Sequence, residues 1–174
     1  MDFSLISIRG RFSYALKCLD LFGRLHSQGE FSLHEEYLRK AIVLKYSEFT
    51  SCLDLSEWHY QCREMTPAFY TMNRKEMSER ELKYITLETG IGLKKYFENI
   101  TGDFKNLYQL TFDIAQEHLY SIVEREETLL MLSDIVDIMN KNGIILPDYS
   151  EIKFSCITEN KGWGNKFFWE DLWK

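Results

Sequence analysis

The residues of this chain best suited to metal or covalent chemistry are its four cysteines and four histidines. Cys52, His59 and Cys62 could supply three ligands to a zinc ion, because zinc binds thiolate and imidazole groups. A fourth ligand would have to come from a distant residue: His26, His34 or Cys156. Structural zinc sites have closely paired ligands, which this spacing lacks, so we predict no metal ion. All four thiols are predicted to be reduced and buried as small apolar groups.

A histidine beside a carboxylate is the second arrangement capable of chemistry, since such a pair can act as a general acid or base. His34 adjoins Glu35 and Glu36, and Glu117 adjoins His118. Glu35 and Glu36 fall in the predicted first turn of a helix, where capping and the helix dipole explain them. His118 lies at the edge of an apolar face, a position typical of a hydrogen-bonded core histidine. We therefore predict that the protein is not an enzyme; a small helical enzyme that uses one of these pairs is the alternative.

Motifs that specify a nucleotide or metal site are absent from the sequence. It contains no G-x-x-x-x-G-K-[ST], no H-E-x-x-H, no C-x-x-C and no Glu-x-x-His of the helical di-iron proteins. Gly90 and Gly92 lie inside a helical pattern that no strand precedes. This pair therefore predicts a helix break or a close packing contact rather than a phosphate loop, and no cofactor is expected.

Apolar residues recur at helical spacing along most of the chain. Residues 4–27 carry two apolar stripes, which predicts a helix covered on two sides. Ser32 and Glu35 form a capping box, and Pro67 marks a boundary between elements. The segment 128–142 is apolar on most sides and ends at Gly143, which predicts the buried helix on which the others pack. Its central core residues are expected to be Leu132, Ile135, Val136 and Met139.

These patterns predict a mainly α, single-domain protein of five to seven helices. The domain is expected to span residues 1–174, with residues 144–174 forming an aromatic-rich C-terminal segment packed on it. Alternation at Ile152, Phe154 and Cys156 predicts a short strand. No apolar run is long enough to span a membrane, and the first nine residues lack a signal-peptide pattern, so we expect a cytoplasmic protein.

Charge is distributed unevenly along the chain. Residues 1–100 carry fourteen basic and fourteen acidic side chains, whereas residues 101–174 carry seven basic and thirteen acidic ones, which accounts for the whole net charge of −6. Eight of these acids lie between Asp103 and Met139, where the only bases are Lys105 and Arg125. A protein without a basic surface is not expected to bind nucleic acid nonspecifically. An acidic surface instead attracts and selects basic partners.

Part of this acidic excess recurs at helical spacing together with a tyrosine. Asp113, Glu117, Tyr120 and Glu124 fall on the face opposite the apolar stripe of a predicted helix. Like charges four residues apart destabilise a helix, so their presence favours a binding role over a merely solvated face. Tyrosine also provides contact area at a low entropic cost. We predict that these four residues bind a protein partner, and that Trp163 is a further contact.

The C-terminal aromatic residues have two possible roles. Residues 160–164 read as a glycine-containing turn, and several aromatic side chains follow it: Phe167, Phe168, Trp169 and Trp173. They are expected to fold back on the helices, because large exposed apolar patches are rare on soluble monomers. Trp163 lies between two glycines and is the one aromatic residue that could project from this turn.

An acidic, aromatic-rich helical chain without a catalytic motif resembles the immunity proteins of bacterial toxin systems, such as those paired with contact-dependent growth inhibition toxins. The resemblance implies a cytosolic protein that binds a toxin domain, often a basic nuclease, and blocks its site or its access to substrate. Helical antitoxins of the HEPN type are a second comparison. Their Arg-x4–6-His motif is absent from this sequence, which argues against ribonuclease activity.

The sequence therefore predicts stoichiometric binding and neutralisation of a basic protein partner, with no catalysis by the chain itself. Two alternatives from other classes stay open. One is the small helical enzyme with a histidine–glutamate site, and the other is a homo-oligomeric adaptor joined through its aromatic tail.

Overall fold

Four α-helices and two short 3-10 helices form the described part of the chain. The computed structural model describes residues 2–26, 87–100, 102–117, 126–148 and 157–165, together with residues 150, 152 and 170. In chain order the elements are η1 (Phe3–Leu5), α1 (Ile8–His26), α2 (Leu87–Asn99), α3 (Gly102–Glu117), α4 (Glu127–Lys141) and η2 (Glu159–Gly162). These ranges contain no strand, so the mainly α prediction is confirmed for them.

The first helix, α1, is the central element of this part of the structure. Fifteen of its nineteen residues are buried, and it packs against both α3 and α4. The two apolar stripes predicted for residues 4–27 therefore do correspond to a helix covered on more than one side. The prediction that the segment 128–142 is the central helix is wrong, because α4 buries only four residues: Thr128, Leu132, Ile135 and Met139. Val136, predicted to be in the core, is half-buried.

Two arginines of α1 are buried in the core. Arg9 and Arg11 are each only 1% exposed. The Nη1 atom of Arg9 donates a hydrogen bond to the Gly164 carbonyl at 2.6 Å, and that of Arg11 donates to Oγ1 of Thr128 at 2.8 Å. Burying a guanidinium without a hydrogen-bond acceptor would cost several kcal/mol, so these acceptors fix the positions of the C-terminal turn and of α4 against α1.

Aromatic rings join α1, α2 and α3. Phe22 of α1 stacks on Phe104 of α3 with ring centroids 5.2 Å apart, and Tyr96 of α2 lies edge-on to Phe104 at 6.1 Å. Phe97 is edge-on to Tyr108 at 5.0 Å. Offset and edge-on pairs of this kind contribute about 0.5–1.5 kcal/mol each beyond the burial of their area. The apolar stripe predicted opposite the acids of this helix is confirmed within α3, where the buried residues are Phe104, Leu107, Tyr108, Thr111, Phe112, Ile114 and Ala115.

The helix break predicted at the glycine pair is not observed, and close packing is not observed at Gly92. The helix α2 continues through both Gly90 and Gly92. A Cβ atom at Gly92 would meet nothing within 4 Å, so no neighbouring element packs closely there. Helical hydrogen bonding is therefore sustained across the pair, although glycine is the least favourable helix residue after proline.

The end of α4 follows the prediction made from Gly143. This glycine has φ of +68°, and its N–H donates to the carbonyl of Asn140, while the N–H of Ile144 donates to that of Met139. The pattern is a Schellman motif, in which a left-handed residue satisfies the last carbonyls of the helix. Ile144 and Met139 are both buried, which supplies the apolar contact that accompanies the motif.

A charged contact joins the start of α3 to the end of α4. Nζ of Lys141 lies 2.9 Å from one Asp103 carboxylate oxygen and 3.0 Å from the other, and Nδ2 of Asn142 donates to the same carboxylate at 3.1 Å. The hydrogen bonds from Lys141 and then Asn142 lower the pKa of Asp103. An acid in the first turn and a base in the last turn also suit the two helix dipoles.

The predicted turn at residues 160–164 is present and packs on the N-terminal elements. Asn160 and Lys161 both adopt left-handed backbone angles, and the N–H of Gly164 donates to the carbonyl of Glu159 at 3.1 Å. The N–H of Arg9 donates to the Trp163 carbonyl at 3.2 Å.

Several predicted elements lie largely outside the described residues. They are the strand at Ile152, Phe154 and Cys156 and the further helices predicted between residues 27 and 86. Among the described helices, none is long and apolar enough to cross a membrane.

We expect the central position of α1 to be measurable with two leucines on this helix. Leu19 is 0% exposed and Leu25 is 65% exposed. Leu19→Ala should lower the free energy of unfolding by about 2–5 kcal/mol, because it leaves a cavity in the core. Leu25→Ala should change it by less than about 0.5 kcal/mol. Urea unfolding of the two variants tests this, and equal losses would contradict the placement of α1.

Candidate functional site

The acids of α3 predicted to bind a partner are less exposed than the sequence suggests. Asp113 and Glu117 are both half-buried, although they lie on the helix opposite its buried stripe. Nε2 of Gln109 donates a hydrogen bond to Oδ1 of Asp113 at 2.8 Å. Burial raises the pKa of Asp113, the hydrogen bond from Gln109 opposes that shift, and the charge of Glu117 adds to it. These two side chains are therefore only partly accessible to solvent.

Two further residues of the predicted binding set, Tyr120 and Glu124, lie outside the described residues. Trp163 lies in the C-terminal turn, far along the sequence from the acids. Its side chain is half-buried and packs against the core cluster. Trp163 therefore folds back on the helices rather than projecting freely, and only part of its ring is accessible to a partner.

Half of the eight exposed acids of the described residues lie on the outer face of α4 or immediately before it. Glu126 immediately precedes this helix and, with Glu127, Asp134 and Asp137, is exposed to solvent. None of these four carboxylates takes part in an ion pair within the described ranges. We refer to these four residues as the α4 acidic face. It is the part of the observed surface where the charge excess of the C-terminal half is accessible.

The only basic residue within α4, Lys141, pairs with α3 rather than with the acids of this face. Lys141 is four residues after Asp137, the spacing at which an acid and a base pair on a helix surface. Its ammonium group is instead held by Asp103 of α3. The contact that joins the two helices therefore leaves the charge of Asp137 uncompensated by its own helix.

A groove with a volume of about 310 Å³ lies between η1 and α4, beside the acidic face. Its lining combines apolar and polar side chains: Asp2, Phe3, Ser4, Leu129, Ser133 and Val136. Phe3 is buried, with its ring edge-on to that of Tyr14 at 4.9 Å. Oδ1 of Asp2 accepts hydrogen bonds from the backbone and side chain of Ser4, which lower the pKa of Asp2 and keep it charged. The groove thus has an apolar floor and an anionic edge.

Groups suited to metal binding or catalysis do not come together in the described part of the chain. No cluster of three or more potential metal ligands occurs there. Cys18 is a free, buried thiol, and its burial raises its pKa, so it stays protonated and unreactive. The candidate zinc ligands Cys52, His59 and Cys62, and the histidines of both candidate acid–base pairs, lie outside the described residues.

Sequence reasoning missed the α4 acidic face because it assigned this helix to the centre of the protein. Asp134 and Asp137 belong to a narrow polar stripe in a segment that is apolar on most sides, so its pattern resembles that of a buried helix. A usable signal was present nonetheless. Glu126, Glu127 and Asp134 have apolar residues four positions later, where a solvated helix would commonly carry a base.

Comparison with known proteins identifies no relative. No family model matches the chain, and no curated protein and no solved structure matches it.

We expect the carboxylate of Asp113 to reduce stability at neutral pH. A carboxyl group whose pKa is raised by folding costs stability above its folded pKa, and this cost disappears below its usual value of 3.8. Asp113→Asn keeps an acceptor for Gln109 and removes the repulsion with Glu117, which alone is worth about 0.2–0.5 kcal/mol. The variant should be more stable than the parent at pH 7, and the difference should vanish as the pH falls below about 4.

Chemical unfolding at several pH values measures this difference. Asp134→Asn is the matched control, since Asp134 is exposed and should give no comparable gain. A loss of stability in Asp113→Asn at pH 7 would show that the carboxylate stabilises the fold.

Proposed function

We propose that this protein binds a basic protein partner through an acidic surface and neutralises it, in the manner of the immunity proteins that the sequence resembles. The single observation that supports this most strongly is the α4 acidic face. Four exposed carboxylates lie along fifteen helical residues and the residue before them, without an ion pair among the described residues. Uncompensated charge of one sign raises the rate of encounter with partners of opposite charge and disfavours others.

The acids of α3 support the same proposal in a different way. Asp113 and Glu117 repel one another at helical spacing while half-buried, an arrangement that costs stability. A basic partner would relieve that cost by adding positive charge beside these two acids. In this proposal the predicted contacts Asp113, Glu117, Tyr120 and Glu124 extend the binding surface beyond α4, and the accessible part of Trp163 adds an aromatic contact.

The proposal treats residues 1–174 as one cytoplasmic domain of five to seven helices, with the segment 144–174 packed on it. The contacts from Arg9 to the Trp163 and Gly164 carbonyls support the packing of that segment on α1. The chain acts by binding, and no catalytic step or cofactor is assigned to it. No described cluster of side chains favours the enzyme or the oligomeric adaptor over this function.

The test is capture of a partner from the native host with tagged protein, followed by measurement of the purified complex. We expect a basic protein that binds in a 1:1 complex and whose toxicity in cells is suppressed by co-expression. Asp134→Lys combined with Asp137→Lys should slow association at least tenfold at low salt, and added salt should slow the parent in the same direction.

The control distinguishes the effect of where the charges lie from the effect of total net charge on the association rate. Glu98→Lys combined with Glu170→Lys changes the net charge equally, at exposed positions outside the α4 acidic face. This variant should retain nearly the parent rate. If both pairs slow association equally, net charge alone explains binding; if neither does, or if no basic partner is captured, the proposal is wrong.

A further inference from the structure

We propose that the groove between η1 and α4 is a pocket for one arginine side chain of the basic partner. This inference rests on the proposed function and adds to it the point at which the partner is anchored. The groove is the concave part of the described surface that borders the α4 acidic face. Its volume of about 310 Å³ is at the lower limit for a ligand site and suits one long side chain rather than a cofactor.

The lining of the groove matches the two parts of an arginine side chain. Phe3, Leu129 and Val136 offer apolar surface for the methylene stem, and the aromatic ring of Phe3 can also contact a guanidinium plane. The polar side chains of the lining are those of Asp2, Ser4 and Ser133, and their polar atoms are all oxygens. Arginine carries five N–H donors and no acceptor, so its guanidinium complements a lining of this kind.

The charges around the groove favour a cation as the occupant. Glu126 is three residues before Leu129, and Asp137 is four residues after Ser133, so both acids neighbour the groove on the helix surface. The only base of α4, Lys141, is held by Asp103 at the far end of the helix. A neutral side chain would gain no charge–charge attraction from this anionic edge, and an anion would be repelled.

The geometry also identifies which acids should matter and which should not. Successive residues of a helix are separated by 100°, so Asp134 points well away from the stripe formed by Leu129, Ser133 and Val136. Asp137 lies closer to that stripe. The two aspartates are exposed on the same helix and carry the same charge, which makes them a matched pair for testing position.

The experiment is NMR titration of the isotope-labelled full chain with N-acetyl-arginine N-methylamide at physiological salt. We expect weak, saturable shifts confined to residues 2–5 and 126–137. The citrulline analogue has the same shape without the charge and should give no saturable shift. Asp137→Asn should weaken arginine binding about two- to fivefold, as expected for one exposed charge pair, whereas Asp134→Asn should leave it unchanged.

A second pair of variants tests the groove itself. Ser133→Phe places a large ring in the groove at an exposed position without altering any acid, and Ser133→Ala leaves the groove open. Ser133→Phe should abolish the shifts and should speed dissociation of the captured partner at least tenfold, while Ser133→Ala should change dissociation less than threefold. Unchanged thermal unfolding of both variants verifies that the fold is intact.

The outcomes distinguish this inference from the proposed function. If citrulline binds as well as arginine, or if Asp134→Asn weakens binding as much as Asp137→Asn, the pocket does not select a cation. If Ser133→Phe binds the partner like the parent while Asp134→Lys with Asp137→Lys does not, the acidic surface binds the partner but the groove does not anchor it. If arginine fills the groove but no basic partner exists, the proposed function fails and the pocket remains.

Discussion

The burial of two guanidinium groups in α1 constrains how every neighbouring element packs. Arg9 requires the carbonyl of Gly164, and Arg11 requires the hydroxyl of Thr128, so the C-terminal turn and α4 are placed by polar contacts inside an apolar core. Burial lowers the pKa of Arg11, yet arginine stays charged at any physiological pH. Apolar packing alone tolerates sliding between helices, whereas these hydrogen bonds do not. The arginines therefore fix the register of the fold as well as contribute to its core.

This arrangement separates the charges of the protein into two groups. Buried or half-buried charges, such as Arg9, Arg11 and Asp113, are held by specific neighbours and shape the interior. The acids of α4 face outward, and the contact between Lys141 and Asp103 engages the only basic residue of that helix. The interaction that stabilises the α3–α4 pair thus also determines the electrostatic character of the exposed face. The packing of the two helices and the charge of this face are coupled through one lysine.

The sequence was sufficient to predict the helical class, the buried face of α3 and the end of α4, because each depends on periodicity or on a glycine at a fixed position. It was not sufficient to rank the helices by burial. The charged residues of α1, including Lys17 and Asp20, give this helix the sequence pattern of a half-exposed one. The structure shows that both side chains are buried. The many apolar residues of α4 give it the sequence pattern of a central helix. One of them, Leu130, is nevertheless 65% exposed in the structure. For the same reason the sequence predicted the exposed acids on α3 rather than on α4. The groove beside η1 is lined by residues from two segments far apart in the chain, so no local sequence pattern indicates it.

The contacts of α1 also have a consequence for the order of events during synthesis. This helix precedes the elements that cover it, because the acceptors for its two arginines are 155 and 117 residues further along the chain. While the chain is growing, the apolar residues of this helix, the most buried one of the described structure, lack the elements that cover them. Nascent apolar surface of this kind is where chaperones bind and where misassembly begins. The core of the described structure can therefore be completed only after Gly164, the acceptor for Arg9, has been synthesised.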